Sequence, residues 1–180
     1  MHCWKTYYLN RKYDFFRRFF ISSIVALLVF ILFYVTMQSF MDRQFNDDYV
    51  LVFIFALILL YPFHKLCHLL PIIPYYRYMK WEIEFFYLLP VLKMKVEYPI
   101  PKKRFVFALI LPFLLINAVL LTTLFLFPEY GHYIAILFAL NSGMSAFDFI
   151  YIKALFSSPK NALVEENEDG YDLLIEDEED

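Results

Sequence analysis

The sequence predicts an all-α membrane protein: four transmembrane helices, a β-hairpin at the cytoplasmic interface and an acidic C-terminal tail. Three observations carry this. Of the 180 residues, 61% are hydrophobic and only 19% charged, with a mean hydropathy of +0.53. A soluble domain is about half apolar and a quarter charged. Four apolar stretches, 19–37, 49–70, 105–127 and 133–156, reach the ~20 residues that a helix needs to cross a bilayer. Finally, the basic residues are segregated between alternate connections.

The first stretch follows a basic, aromatic leader. Its apolar run is longer than that of a signal peptide and no small-x-small cleavage site follows, so it reads as a retained anchor. Residues 1–18 hold Lys5, Arg11, Lys12, Arg17 and Arg18, and the connection 71–104 holds Arg77, Lys80, Lys93, Lys95, Lys102, Lys103 and Arg104. The other two connections hold only Arg43. The positive-inside rule therefore places both termini and the 71–104 connection in the cytoplasm, in a multi-pass protein of the cell membrane. Within that connection, Trp81–Phe85 and Leu92–Tyr98 alternate apolar and charged residues around Leu88-Leu89-Pro90. This predicts a hairpin over 81–98 lying on the membrane surface, closed by Pro99 and Pro101, which cannot donate to a ladder. Trp4, Tyr7, Tyr8, Tyr75, Tyr76, Tyr78 and Trp81 flank span ends as an interfacial aromatic belt.

Residues 1–160 thus read as a membrane domain and 161–180 as an acidic cytoplasmic tail, with ten acidic residues among the sixteen from Glu165 to Asp180. Asp169-Gly170 is a hairpin turn signal between 162–164 and 171–175. The tail is either solvated and repelled by the anionic inner leaflet or paired with the basic 71–104 surface.

Several function classes are excluded. The three glycines, Gly131, Gly143 and Gly170, are too scattered for a Walker A loop, a dinucleotide turn or a GxxxG dimer. Two cysteines, Cys3 and Cys67, cannot build a disulfide framework. No basic patch separates from the membrane anchors, so nucleic acid is not an expected partner. Membrane lipid is, together with a membrane protein as substrate or partner. A small permease is disfavoured, because four spans with so few polar groups line a poor aqueous pathway.

The informative residues are the polar ones inside the spans, since a charge at mid-bilayer costs about 2.5–3.5 kcal/mol or more. His64 and His68, at the cytoplasmic end of the second span, are i and i+4 and project from one helix face, the spacing that offers two nitrogens to one tetrahedral metal. In the fourth span, Asn141, Ser145 and Asp148 fall at about 0°, 40° and −20° around the helix, a single polar stripe. Asp148 lies ~12 Å from the cytoplasmic end of its span and His64 ~9 Å from the end of its own. If the two helices are neighbours, the carboxylate meets the imidazoles. Two histidines and a carboxylate suit a zinc ion with one open position. Asn141, Ser145 and Cys67 would be polar support, Cys67 being a packing residue or a soft ligand. Asn117, Thr122 and Thr123 in the third span are expected to hydrogen-bond between helices.

These residues give the chain a resemblance to a family of small bacterial membrane proteins described as zincin peptidases, a domain of unknown function whose layout is similar to that of site-2 intramembrane metalloproteases. His64 and His68 match the two histidines of the HExxH helix and Asp148 the aspartate of a later helix. Pro112, the stretch Pro99–Lys103 and the Pro159–Ile175 hairpin fit as well. The resemblance implies zinc, a peptidase fold and a bacterial plasma membrane. It also exposes a departure: the motif here is HKLCH, with Lys65 where the family has the glutamate that moves protons. An ammonium group cannot accept a proton and its charge opposes the metal, so the resemblance implies a degenerate, hydrolytically weak or inactive peptidase. The residues alone leave open a metal-free centre in a non-enzymatic partner protein, with Lys65 paired to Asp148 or snorkelling to the headgroups.

Overall fold

The structure, a computed structural model, describes residues 2–7, 15–40, 45–86, 89–96, 98–159, 161–167 and 170–175. The tips of both expected hairpins (87–88 and 168–169), Arg43 and the acidic end 176–180 lie outside the described residues.

Four helices form where the apolar runs predict them: α1 (Phe15–Phe40), α2 (Val50–Leu69), α3 (Lys102–Leu126) and α4 (Gly131–Phe156). All are long and apolar enough to cross a membrane. α1, α3 and α4 start two to four residues before their apolar runs, because backbone hydrogen bonding continues past the hydrocarbon limit, whereas α2 stays within one residue of its run at both ends. Lys102, Lys103 and Arg104 accordingly sit in the first turn of α3, not in a loop. Pro71 and Pro74, three residues apart, each remove a ladder donor, and the chain after α2 tightens into a 3₁₀ segment, Leu70–Tyr78.

α4 is the central helix. It packs against α1 on one side and α3 on the other, and α2 packs on α3 and touches α4. The α1–α4 approach depends on Gly143: a Cβ there would lie 2.6 Å from the Ser22 carbonyl oxygen and 2.8 Å from the Ala26 Cβ. Higher along the same pair, Phe33 and Phe138 stack with ring centroids 4.5 Å apart. The outward faces remain apolar and exposed, as Leu51, Phe55, Ile58, Leu114 and Phe125 show. Such surface is expected against lipid and not against water.

Two antiparallel sheets lie at one end of the bundle. β2 (Met79–Phe86) and β3 (Leu89–Val96) form the expected hairpin but two residues earlier than 81–98: the register runs from Met79↔Val96 to Phe86↔Leu89, so Leu89 and Pro90 belong to β3 and not to the turn. The other sheet has the order β1-β6-β5-β4, built from His2–Tyr7, Gly170–Ile175, Leu163–Asn167 and Ile100–Pro101. The tail hairpin is therefore not simply solvated. β5 pairs with Ile100 and Pro101 at the end of the basic connection, and β6 pairs with the N-terminal strand. Lys102 Nζ reinforces the join, 2.7 Å from the Ser158 carbonyl oxygen. Val164, Tyr171 and Leu173 of the sheet pack with Ala108, Leu109, Ile152 and Leu155, the lower turns of α3 and α4. The sheet thus forms a floor one helical turn below Asp148.

Candidate metal centre

α2 holds His64 and His68 one turn apart, with ring centroids 5.0 Å apart and planes nearly perpendicular. α4 turns Asn141, Ser145 and Asp148 toward them, and Asn141 and Ser145 are completely buried. The helices are neighbours at this height, so the expected meeting of carboxylate and imidazoles occurs.

A directed hydrogen-bond chain fixes the first ring. It ends on the Phe138 carbonyl, which can only accept. The Ser142 hydroxyl donates to that carbonyl (2.8 Å), leaving the Ser142 oxygen to accept from Asn117 Nδ2 (3.3 Å). Asn117 Oδ1 then accepts from Asn141 Nδ2 (2.9 Å), which also reaches the Pro112 carbonyl at 3.4 Å. Asn141 Oδ1, left as an acceptor, lies 2.9 Å from His64 Nδ1. The proton of a neutral His64 is consequently on Nδ1 and the lone pair on Nε2. His68 is fixed in the same sense: its Nδ1 donates to the Ala108 carbonyl oxygen at 2.9 Å.

Both free Nε2 atoms face one carboxylate oxygen. Asp148 Oδ2 is 3.4 Å from His64 Nε2 and 3.7 Å from His68 Nε2. This oxygen is buried and has no hydrogen-bond partner. His64, His68 and Asp148 bring donor atoms within 4.8 Å of one another, the one such group of metal-ligating side chains among the described residues. Three lone-pair atoms pointing at a common centre repel one another unless a cation lies between them. Imidazole with its other nitrogen held by a carbonyl is also the usual form of a histidine metal ligand. A tetrahedral zinc site with bonds of about 2.0–2.1 Å separates its ligand atoms by about 3.3–3.4 Å, close to the two carboxylate–imidazole distances. Donor types, tautomers and the two carboxylate–imidazole distances therefore fit zinc, and the widest separation in the group, 4.8 Å, must close when an ion binds.

The other expected site residues are placed differently. Cys67 is buried with Leu60, Ile116 and Leu137 and outside the donor cluster, so it is a packing residue. Ser145 does not reach the histidines. Its hydroxyl donates back to the Asn141 carbonyl at 3.0 Å, as helical serines do. Thr122 and Thr123 likewise bond within α3, to the Ala118 and Val119 carbonyls, and not between helices. Of the third-span residues expected to bridge helices, Asn117 does so. Among the described residues, only His64 and His68 come within ion-pair distance of Asp148, so the Lys65–Asp148 pair is not formed. The Ala108 carbonyl, which accepts from His68, carries no side-chain signature, and Pro112, four residues on, is the sequence feature that points to it.

Comparison with curated proteins and with solved structures returns no match. A family profile described as "Putative zincin peptidase" matches residues 57–163, 107 of the chain's 180 residues. The matched range runs from within α2 to the first residue of β5 and includes all three donors. The chain therefore belongs to the putative zincin peptidase family.

Proposed function

We propose that the protein is a multi-pass membrane metalloprotein of the zincin type, degenerate as a peptidase, in which His64, His68 and Asp148 hold zinc. The observation that carries this is the unpartnered, buried Asp148 Oδ2 facing two Nε2 atoms whose rings are locked from behind. When bound, zinc supplies Lewis-acid polarisation of a carbonyl and activation of water. The chain's own residues supply the rest. The Nδ1 bonds hold the rings, α4 holds the carboxylate, and the sheet floor keeps the lower face dry.

Hydrolysis needs a base beside the metal to take a proton and return it to the leaving amine. Lys65, next in sequence to the first ligand, has no lone pair as an ammonium. Hydrolysis is accordingly weak or absent, and the protein acts by binding a membrane-protein segment instead of cutting it. An apolar cleft of about 320 Å³ lined by Leu60, Phe63, Leu66, Leu120 and Leu137 runs along α2 and suits such a segment, although none of the three donors lines it. The β2–β3 hairpin offers an edge for strand addition. With the basic connections inside, termini, sheet floor and centre all belong to the cytoplasmic side of the membrane.

The test is elemental analysis of full-length protein purified in detergent. One zinc per chain, lost in His68→Ala, is expected. No zinc even after loading ends this reading.

A further inference from the structure

We infer that Pro112 is a positioning residue of the metal centre, because it frees the carbonyl group that orients His68. In an α-helix each carbonyl accepts from the N–H four residues later. For Ala108 that residue is Pro112, which has no N–H to give. Ala108 is almost fully buried and Pro112 completely so, so water cannot substitute. An orphaned carbonyl inside a membrane protein must find a partner from a neighbouring helix. Here it is His68 Nδ1 on α2, at 2.9 Å. The bond puts the ring proton on Nδ1 and turns Nε2 toward Asp148, 3.7 Å away. The carbonyl of Pro112 itself lies 3.4 Å from Asn141 Nδ2, and Asn141 orients His64. One turn of α3, residues 108–112, thus serves both rings. A break in the helix ladder, ordinarily a defect, becomes the fixed acceptor that selects the tautomer.

The consequence for metal affinity rests on the proposed zinc site, whereas the tautomer of His68 does not. Pro112→Ala returns an N–H to the Ala108 carbonyl, in competition with His68. Two quantities are measured on the full chain in detergent: zinc affinity by competition with a chelator, and imidazole ¹⁵N shifts of histidine-labelled, metal-free protein. Wild-type His68 is expected to carry its proton on Nδ1. In Pro112→Ala that preference is lost for His68 and kept for His64, and zinc affinity falls about 10–100-fold. Pro112→Val restores the N–H while keeping more of the buried volume, and it must behave alike, which separates the hydrogen bond from a cavity. An unchanged His68 tautomer in both variants overturns the inference, as does equal disturbance of His64 and His68. If wild type binds no zinc, the zinc reading fails and the ¹⁵N shifts alone decide the role of Pro112.

Discussion

Asn141→Leu removes the link between the buried amide chain and the first histidine. The side chains are close in size, so the change is chiefly one of hydrogen bonding. Two bonds of 2.9 Å are lost, from His64 Nδ1 and to Asn117 Oδ1, with a weaker one to the Pro112 carbonyl at 3.4 Å. Interhelical hydrogen bonds in membranes contribute about 0.6 kcal/mol on average and up to about 1.7. An amide oxygen left buried and unpaired, here that of Asn117, costs about 1–3 kcal/mol. The expected destabilisation is therefore about 2–4 kcal/mol, below the roughly 5–15 kcal/mol of a typical native protein, so the helices should stay assembled. The larger effect is on the metal. With Nδ1 released, the His64 ring is no longer held in one tautomer, and zinc affinity should fall about 10–100-fold. Asn141→Asp separates the two effects: it keeps an acceptor for His64 Nδ1 but cannot donate to Asn117. It should lose stability while retaining zinc far better than Asn141→Leu. The assay is chelator competition alongside thermal unfolding in detergent. Zinc affinity within about twofold of wild type in Asn141→Leu would refute the reasoning, because second-sphere partners of metal histidines cost more than that when removed.

Two other substitutions probe different links. Lys65→Glu restores the proton-transfer group and lowers the charge beside the centre by two, so zinc should be retained more tightly against chelator and peptide hydrolysis should appear or rise; weaker retention counts against the charge argument. Gly143→Ala would gain up to about 1 kcal/mol of helix propensity, yet the new methyl group meets the Ser22 carbonyl oxygen at 2.6 Å. Backbone at that distance cannot yield cheaply, so a net loss of about 1–3 kcal/mol is expected, with zinc affinity little changed because this face meets α1. A more stable Gly143→Ala protein would mean that α1 and α4 are not so close.

The features legible in the sequence are those with a short period or a high local cost. The four helices follow from apolar run length, and the β2–β3 hairpin from its alternation. The polar stripe of α4 and the His64–His68 pair stand out because polar groups in an apolar helix are expensive. What the sequence does not disclose is non-local. His2–Tyr7 reads as a leader, since a strand that pairs with residues 171–175 leaves no periodic mark of its own. Asn117 is recognisable as a bridging residue, but its place in a chain from Phe138 to His64 depends on where α3 meets α4. Cys67 looks like a possible ligand because it lies beside His68, yet helix geometry sends the next residue about 100° round, into the apolar cluster. The Ala108 acceptor belongs to the backbone, which motif reading passes over.

The central claim is that both imidazoles and the Asp148 carboxylate converge on one ion through Nε2 and Oδ2. Zinc-edge X-ray absorption of the purified, full-length protein measures that coordination directly. The account predicts two imidazole ligands and one or more oxygen ligands at about 2.0–2.1 Å, with one imidazole lost in His68→Ala. A spectrum dominated by sulfur at about 2.3 Å, or one unchanged by that substitution, would place the metal elsewhere and contradict the account.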